Sequence, residues 1–299
     1  MTITNLIISI FEQFRMTPLA IDEFEVKGKQ VLFDKINTFV TKNQVIKFSM
    51  LGFPFKSPNH RDKTISELPD LAEQLTIDNF KAFANMIKAV YPPGIQLNIV
   101  SDGLAFNDIM DVPVVTVDQY HEITMDMAKD VPLNILTMRD FFDKNKSLDS
   151  MRDTINNSFG ITNEELERRI LFDPDVNMLY KGMIKFMNLD LAIRYYSSNS
   201  QLQKASKKMA RDMMFRNESY SKLVQTEMSD HIRLSMHPSI NNGTKFSFQL
   251  IRSPKVWTSA WHCAILITKD NEVATIHKKD AIASGFELVN NNNQFYFQE

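Results

Sequence analysis

Three polar side chains occupy alternate positions of the segment Arg233-Leu234-Ser235-Met236-His237. In an extended strand, alternate residues point to the same face, so Arg233, Ser235 and His237 would share one face. Arginine and serine can donate hydrogen bonds to a phosphate or a carboxylate, and histidine can give or take a proton near neutral pH. The segment therefore predicts an anion site with a proton-transfer group, although the alternation also fits the solvent face of an amphipathic strand.

A second candidate is a short loop that contains two prolines, Pro54 and Pro58. Because proline fixes its own backbone and restricts the residue before it, the loop should present Lys56, Ser57 and Asn59 rigidly. A lysine held in this way can bind a phosphate or a carboxylate. A structural turn with a solvated lysine is the competing interpretation, but a rigid loop at the end of a predicted strand favours a functional role.

Two carboxylates, Asp102 and Asp108, flank Phe106 in the next polar segment. Either could act as a general base or hold the amine of a substrate. Aspartates are also common as helix caps and in turns, and spacing alone does not separate these roles.

Other familiar catalytic patterns are missing from the sequence. The six histidines show no spacing typical of a zinc or iron site, and there is no Gly-x-Gly-x-x-Gly or Walker loop. No Gly-x-Ser-x-Gly elbow supports a hydrolase. The single cysteine, Cys263, lies in an apolar run and is expected to be a buried core residue. We therefore expect neither a metal ion nor a reactive thiol.

The elements that position these residues follow a repeated order. Apolar runs at 45–51, 95–100 and 133–138 predict strands, and helical patterns cover 68–90 and 117–129. This alternation favours a parallel sheet with covering helices, in which the carboxyl ends of the strands form one ligand-binding edge. We expect the polar residues that follow the strands to converge there: Lys56, Ser57, Asn59, Asp102, Asp108 and Arg139.

The rest of the chain changes character twice. Residues 146–229 are helical in pattern, with helix starts near Thr162 and Pro174. Strands are then predicted at 232–236, 245–250, 261–268 and 273–277. Asn241-Asn242-Gly243 and Asp270-Asn271 predict hairpins between them, and residues 290–293 predict a turn or a loose end.

Composition narrows the class of protein. The 299 residues carry a net charge of −2, which gives no general attraction to nucleic acid or to anionic membranes. No apolar stretch reaches the length of a membrane span, and the N-terminus is typical of an amphipathic helix rather than a signal peptide. One cysteine suits a reducing compartment. We therefore expect a cytoplasmic globular protein with no nucleic-acid or membrane partner.

Several segments share their residues and their order with one family. They are Phe53-Pro54-Phe55-Lys56-Ser57-Pro58-Asn59, Leu68-Pro69-Asp70-Leu71-Ala72-Glu73, Ser101-Asp102-Gly103 with Phe106 and Asp108, Arg216-Asn217-Glu218 with Tyr220-Ser221, Arg233 to Ser239, Lys245-Phe246, and Trp257-Thr258 with Trp261-His262. Through them the chain resembles the pyoverdine/dityrosine biosynthesis family, whose bacterial members include isocyanide synthases. One departure is that Ser259-Ala260 stands where the family usually has a single proline before the tryptophan and histidine.

The resemblance implies a modified Rossmann-like α/β fold, which agrees with the predicted strands and helices. Together they predict a sheet of parallel strands, a helical middle region and C-terminal antiparallel strands in a single catalytic domain, 1–299. Its parts would be an N-terminal helical segment (1–44), a Rossmann-like part (45–145), a helical part (146–230) and C-terminal strands (231–299).

The resemblance also implies a reaction. In the family's isocyanide synthases, the α-amine of tyrosine or tryptophan joins the carbonyl carbon of ribulose 5-phosphate. Carbon–carbon bonds of the sugar then break, phosphate leaves, and one carbon stays on nitrogen as the isocyanide. It implies tyrosine as the favoured substrate, no metal or organic cofactor, and a downstream iron- and 2-oxoglutarate-dependent oxygenase as the pathway partner. A formyl-tyrosine-forming enzyme of the dityrosine branch and a non-catalytic anion-binding module remain alternatives.

The candidate residues divide by chemistry for this reaction. Arg233, Ser235 and Lys56 are suited to anion binding, with Arg216 in support. His237, Asp102 and His262 are suited to proton transfer. The predicted substrate-binding set is completed by Ser57, Asn59, Phe106, Asp108, Lys245 and Trp261.

Overall fold

The main sheet has five parallel strands. The computed structural model describes residues 2–16, 24–192, 198–237 and 244–299. Its strands are β1 (Ile46–Leu51), β2 (Ile95–Val100), β3 (Leu133–Leu136), β4 (Ile232–Ser235) and β5 (Phe246–Ser247), in the spatial order β3-β2-β1-β4-β5. Every neighbouring pair is parallel. The predicted parallel sheet is therefore confirmed, and it includes β4 and β5 from the C-terminal part of the chain.

Helices cover the sheet, so most residues of its central strands are buried on both faces. The four C-terminal residues of β2 are all buried, as expected for a strand covered on both sides. The N-terminal half supplies α1 (Ile3–Glu12), α2 (Lys29–Thr41), α3 (Leu71–Val90), α4 (Gly103–Met110) and α5 (Val114–Met127). A π-turn at Phe24–Gly28 leads into α2. The short helix α4 directly after β2 was not predicted.

The helical middle of the chain is confirmed. It consists of α6 (Leu148–Phe159), α7 (Asn163–Phe172), α8 (Pro174–Leu191) and α9 (Asn199–Glu227). The Thr162 hydroxyl caps α7, and Pro174 occupies the first turn of α8, as the sequence predicts. Helix α9 packs on α4, α6 and α8 and so joins this region to the sheet.

A second, mixed sheet ends the chain. It contains β6 (Ala264–Ile267), β7 (Val273–Ile276), β8 (Glu287–Asn291) and β9 (Gln294–Gln298), in the order β7-β6-β9-β8, and α10 (Lys278–Ala283) lies between β7 and β8. The β6–β7 and β8–β9 pairs are antiparallel, whereas β6–β9 is parallel. The hairpin at Asp270-Asn271 is confirmed. Of the predicted turn at 290–293, Asn292 and Asn293 form the turn between β8 and β9, whereas Asn290 and Asn291 belong to β8.

Two sequence predictions in this region are wrong. Strands β4 and β5 are parallel, so they do not form a hairpin, and the Asn241-Asn242-Gly243 segment lies outside the described residues. The predicted strand 261–268 begins only at Ala264, because Ala260–His262 form a 3₁₀ turn. Within the described ranges, no helix is both long and apolar enough to cross a membrane.

Candidate active site

A cavity of about 1380 Å³ lies at the carboxyl ends of the parallel strands. Pro54 and Phe55 follow β1, Asp102 follows β2, and His237 follows β4, and all four line it. Helices α4, α7, α8 and α9 and the segment that precedes β6 contribute further lining residues. The site therefore occupies the edge of the sheet that the sequence pattern predicted.

Much of the cavity wall is apolar. Aromatic side chains line it, and methionines contribute an adaptable surface between them. The aromatic lining residues are Phe55, Phe106, Phe186, Trp257 and Trp261, and the methionines are Met16, Met110, Met183, Met213, Met214 and Met236. Such a wall suits a large apolar or aromatic group on the ligand.

Three basic side chains lie near one another beside the cavity, and we call them the basic corner: Arg233, His237 and Lys245. Burial lowers the pKa of Arg233 to about 10, and its Nη1 atom has no hydrogen-bond partner. Burial and the charge of Arg233 lower the pKa of Lys245. Among the described residues, neither Arg233 nor Lys245 has a carboxylate within ion-pair distance. His237 and Lys245 line the cavity, whereas Arg233 is not a lining residue but is close enough for its charge to act on Lys245.

Asp102 lies beside the basic corner. Burial raises the pKa of Asp102 to about 6, although the charge of Arg233 acts in the opposite direction. Its Oδ1 atom is buried without a hydrogen-bond partner. Burial, and then the charge of Lys245, lower the pKa of His237. A carboxyl group and an imidazole that both titrate near or below neutral pH can exchange protons with a substrate.

The backbone around Asp102 is held by its neighbour Ser101. The Ser101 hydroxyl donates to the carbonyl oxygen of Phe53 at 3.0 Å, and Nε2 of His121 lies 2.6 Å from the same hydroxyl. The Tyr220 hydroxyl donates to the carbonyl oxygen of Ser101 at 2.8 Å. The loop after β1, the end of β2 and helix α9 are therefore fixed to one another at this point.

A second polar group lies elsewhere on the cavity wall, and we call it the Asp190 cluster: Ser57, Lys63 and Asp190. Oδ1 of Asp190 accepts hydrogen bonds from the Ser57 hydroxyl at 2.6 Å and from Nζ of Lys63 at 2.5 Å. Nζ of Lys63 also lies 4.2 Å from the centre of the Phe186 ring. Ser57, Asp190 and Phe186 line the cavity.

His262 lies next to this cluster. Its ring centre is 4.6 Å from that of Phe186, with the two rings nearly perpendicular. Burial, and then the charges of Lys63 and Lys56, lower the pKa of His262 well below its usual value. The imidazole is therefore neutral at physiological pH, and its buried Nδ1 atom has no hydrogen-bond partner.

Lys56 does not face the cavity, so its predicted role in holding an anion is not supported by its position. Its Nζ atom lies 2.9 Å from Oδ1 of Asp70 and 2.7 Å from Oε2 of Glu73, and it donates to the carbonyl oxygen of Ala260 at 3.1 Å. All three charged side chains are fully buried. Burial alone would lower the pKa of Lys56, but the two carboxylates outweigh it and raise that pKa. The lysine ties its loop to the start of α3.

Other predicted residues are also engaged within the protein. The Asn59 side chain donates to the carbonyl oxygen of Leu189 at 2.6 Å. Arg216 forms an ion pair with Asp108 and donates to the carbonyl oxygen of Ala105 at 2.8 Å. The Ser235 hydroxyl accepts from the backbone of His237, and Arg139 pairs with Asp118 on the surface rather than joining the site. The predicted residues that do line the cavity are Ser57, Asp102, Phe106, His237, Lys245, Trp261 and His262.

The sequence reasoning missed Asp190 and Lys63. Asp190 stands between two leucines near the end of α8, and an isolated charge in an apolar stretch was the only sign of its burial. Lys63 lies beyond the proline loop in a polar segment with no distinctive pattern. Within the parts of the chain that the structure describes, no three histidine, cysteine or acidic side chains are grouped so that they could hold a metal ion.

The family of the chain follows from comparison with known sequences. The profile of the family described as pyoverdine/dityrosine biosynthesis protein matches residues 36–289. This match covers most of the chain, which therefore belongs to that family.

Individual relatives carry more specific names. Isocyanide synthase xanB of Aspergillus fumigatus is 30% identical over 284 residues, which cover 87% of this chain and 37% of xanB. L-tryptophan isonitrile synthase AmbI2 of Fischerella ambigua is 26% identical, with 88% of this chain and 81% of the relative covered. The L-tyrosine isonitrile synthase of Pseudomonas aeruginosa is 24% identical, with 95% and 88% covered. The chain thus spans little more than a third of xanB.

A solved structure has the same fold. The crystal structure of the PvcA protein from Pseudomonas aeruginosa matches with a TM-score of 0.92 over 99% of both chains, at 22% identity. The parallel sheet, the helical middle and the mixed C-terminal sheet are therefore a known arrangement.

Proposed function

We propose that the chain is an isonitrile synthase that converts the α-amine of an aromatic L-amino acid to an isocyanide, with ribulose 5-phosphate as the carbon donor. Tyrosine is the favoured amino acid and tryptophan the alternative. The observation that carries the proposal is the basic corner, in which two desolvated cations lie beside an aromatic cavity and have no carboxylate partner among the residues that the structure describes. The names of the relatives, which include tyrosine and tryptophan isonitrile synthases, support the same reaction.

The basic corner would bind the phosphate of the sugar. Lys245 lines the cavity, and Arg233 adds a second positive charge close to that lysine. Hydrogen bonds between such cations and a phosphate are charge-assisted and strong in a site that excludes water. The phosphate would in turn relieve the repulsion between the two cations. Ser235 supports this corner by accepting a hydrogen bond from the backbone of His237 at 3.1 Å.

Proton transfer would fall to Asp102, His237 and His262. Imine formation moves two protons from the neutral attacking nitrogen to the carbonyl oxygen, which leaves as water. Asp102 has a pKa of about 6, so it exists in both forms near neutral pH. His262 is neutral and has a free ring nitrogen, so it can act only as a base or a hydrogen-bond partner at the start of the reaction.

The aromatic wall would hold the side chain of the amino acid. Phe106 and Trp261 line the cavity, and Trp261 is fixed by the Phe53 ring at a centroid distance of 5.5 Å. Lys56, Asn59, Asp108 and Arg216 would act indirectly, by holding the loops and helices that carry the lining residues.

A product assay tests the proposal. Purified protein is incubated with ribulose 5-phosphate and either tyrosine or tryptophan, and the product is examined for the isocyanide stretch and for its trapped adduct. We expect an isocyanide with one of the two amino acids and none when the sugar phosphate is omitted. Absence of any product with both amino acids, from folded protein, would contradict the proposal.

One alternative reaction is a formyl-tyrosine-forming activity of the dityrosine branch. The family description itself includes dityrosine biosynthesis, so this alternative is specific to the family. Mass analysis distinguishes the two products, because the mass of a formamide exceeds that of the corresponding isocyanide by the mass of one water molecule. A non-catalytic anion-binding module would instead bind ribulose 5-phosphate without turnover.

The proposed reaction also has a place in a pathway. As the family resemblance implies, the partner would be an iron- and 2-oxoglutarate-dependent oxygenase of secondary metabolism that acts on the isocyanide. Carbon–carbon bond cleavage in the sugar would make the enzyme a lyase, and we place it in the cytoplasm. Addition of such an oxygenase with 2-oxoglutarate should consume the isocyanide, whereas an unchanged isocyanide would count against this partner.

A further inference from the structure

The Asp190 cluster has no task in the roles assigned above. One carboxylate oxygen of Asp190 is fully engaged by Ser57 and Lys63. The other oxygen, Oδ2, is buried and has no hydrogen-bond partner, and Asp190 as a whole is only 1% exposed. Asp190 also lines the cavity, so its carboxyl group lies at the wall that a substrate would meet.

An unsatisfied buried carboxylate oxygen indicates a ligand that donates hydrogen bonds. Burial of such an oxygen without a donor is unfavourable, and a bound donor would remove that cost. The proposed substrates offer two kinds of donor, the α-amine of the amino acid and the hydroxyls of the sugar. The surroundings of Asp190 favour the amino acid, because Phe186 packs against both Lys63 and His262, and Trp261 adjoins His262.

The charge of the cluster favours a neutral amine. Lys63 already neutralises Asp190, and its side chain is 3% exposed, so its charge is poorly screened. A substrate ammonium would add a second cation near Lys63, whereas a neutral amine can donate the same hydrogen bond without that repulsion. The neutral amine is also the form that can attack a carbonyl carbon.

We infer that the free oxygen of Asp190 accepts a hydrogen bond from the α-amine of the amino-acid substrate and, together with Lys63, selects that amine in its neutral form. This inference rests on the proposed function, since it concerns the same cavity. The amine would lie at the Asp190 cluster and the phosphate of the sugar at the basic corner. Because the free amino acid carries an ammonium group at neutral pH, binding would release a proton to solvent.

Calorimetric titration of the purified full chain tests amine recognition without turnover. The probes are L-tyrosine and 3-(4-hydroxyphenyl)propionate, which lacks only the amine, and L-tryptophan with indole-3-propionate. We expect the affinity for the preferred amino acid, corrected for the fraction that carries a neutral amine at the pH of the titration, to exceed that for its deamino analogue by at least about tenfold. Equal corrected affinities in both pairs would overturn the inference, and no variant is needed for that comparison.

The variant Asp190→Asn tests the residue itself. It should weaken binding of the amino acid by about tenfold or more and leave the deamino analogue and ribulose 5-phosphate within about twofold. If Asp190→Asn weakened the binding of ribulose 5-phosphate instead, the oxygen would bind a sugar hydroxyl and the inference would be wrong.

Titration in buffers with different ionisation enthalpies should show close to one proton released per amino acid bound. No release would refute the selection of the neutral amine.

Controls separate these effects from misfolding. Asp190→Asn leaves Lys63 without its carboxylate, so the double variant Lys63→Met/Asp190→Asn removes the buried charge as well and should also lose amine recognition. Asp212→Asn, on the surface of α9, is the matched control and should bind both substrates like the unaltered protein.

If the product assay yields no isocyanide, the amine preference can still be measured. An active enzyme that binds amino acid and analogue equally would refute only this inference.

Discussion

At the scale of single residues, the site combines two cations, which have no carboxylate partner among the described residues, with an acid, Asp102, whose pKa is raised toward neutrality. Arg233 and Lys245 hold charge in a poorly solvated place, which is unfavourable until an anion binds. Asp102 and His262 also have buried atoms without hydrogen-bond partners. Unsatisfied groups of both signs around one cavity are typical of a site built for a ligand with several polar groups.

The two cations should matter more for the sugar phosphate than for the amino acid. In Lys245→Ala, we expect the KM for ribulose 5-phosphate to rise about tenfold or more and the KM for the amino acid to change by less than about threefold, since a hydrogen bond to a charged group contributes roughly 1.5–3 kcal/mol. Arg233→Ala should act in the same direction. Steady-state kinetics with each substrate varied would measure this, with the exposed Lys208→Ala as control. Equal changes in both KM values would exclude the division of the cavity that we propose.

Because of Asp102, the stability of the protein should fall and its activity should rise as the pH increases through about 6. Burial raises the pKa of Asp102 from 3.8 to about 6, so its stabilising contribution is present below pH 4 and is lost as the pH rises through 6. Asp102→Asn should therefore melt at a higher temperature than the unaltered protein at pH 8 and show little gain at pH 4. If Asp102 acts as a base, activity should fall below about pH 6, and Asp102→Asn should lose roughly 100-fold. A variant that was less stable at pH 8 would contradict the burial of an ionised carboxylate.

At the scale of elements, the site depends on loops that are fastened to one another. Lys56 joins the loop after β1 to the capping box of α3, in which Asp70 and Glu73 bind each other's backbone. The Ser101 hydroxyl joins the same loop to the end of β2 through Phe53. Phe53 has a backbone φ of +51°, a strained value for a side chain of its size, so these hydrogen bonds help to hold the loop in place.

Loss of the Lys56 ion pairs should reduce the stability of the fold more than it reduces substrate binding. Lys56→Met leaves two fully buried carboxylates without their cation, which costs about 3–5 kcal/mol and should lower Tm by roughly 10 °C. The triple variant Lys56→Met/Asp70→Asn/Glu73→Gln should recover part of that loss. Thermal melting checks both, with Lys208→Met as an exposed control. A stable Lys56→Met protein with a selective defect for ribulose 5-phosphate would restore the role that the sequence predicted.

Two glycines offer a matched test of the contact between the β1 loop and α4. A Cβ atom at Gly103 would lie 2.2 Å from the carbonyl oxygen of Pro54, whereas a Cβ atom at Gly182 would meet nothing within 4 Å. Gly103→Ala should lower the free energy of unfolding by about 2 kcal/mol or more, because the new Cβ atom would force the backbone at Pro54 and the backbone next to Asp102 apart. Gly182→Ala, within α8, should stabilise by about 0.5–1 kcal/mol. Chemical denaturation measures both, and equal effects would mean that the close approach of loop and helix is absent.

At the scale of the whole molecule, the cavity lies where two apolar clusters meet. One cluster contains residues of α1, α2, α3 and the main sheet, and the other contains residues of α4 and α6 to α9. The loop after β1 contributes to both, with Phe53 in the first and Phe55 in the second. Strand β2 does the same, with Ile99 in the first and Val100 in the second.

Because the loop after β1 and the end of β2 contribute to both apolar clusters, we expect the chain to unfold as one unit. Thermal unfolding followed by far-UV circular dichroism, which reports mainly on the helices, should coincide with unfolding followed by the fluorescence of Trp257 and Trp261. Both tryptophans belong to the segment before β6, so the two signals come from different parts of the chain. Midpoints that differed by several degrees would favour two independent domains over the single domain that the sequence predicts.

The sequence alone determined the parallel strands β1 to β4, the helical middle and the edge of the sheet at which the cavity lies. Apolar runs such as Ile95–Val100 identify buried strands because burial depends on local side-chain character, and strand–loop–helix repeats force the loops to one edge. The sequence also supplied Asp102, His237 and His262, which line the cavity. It did not supply α4, whose eight residues are too few for a clear helical period.

The tertiary structure alone decided which polar residues face the cavity. Lys56 was predicted at the site, but its charge is neutralised by Asp70 and Glu73, 14 and 17 positions further along the chain. Asp190, in contrast, lines the cavity and contacts Ser57 and Lys63, which are more than 120 positions away in the sequence. The partner of a buried charge is set by packing between distant segments, and no local pattern encodes it. The sequence therefore determined where a site would form, and the folded chain determined which of its charges are already paired and which remain for a substrate.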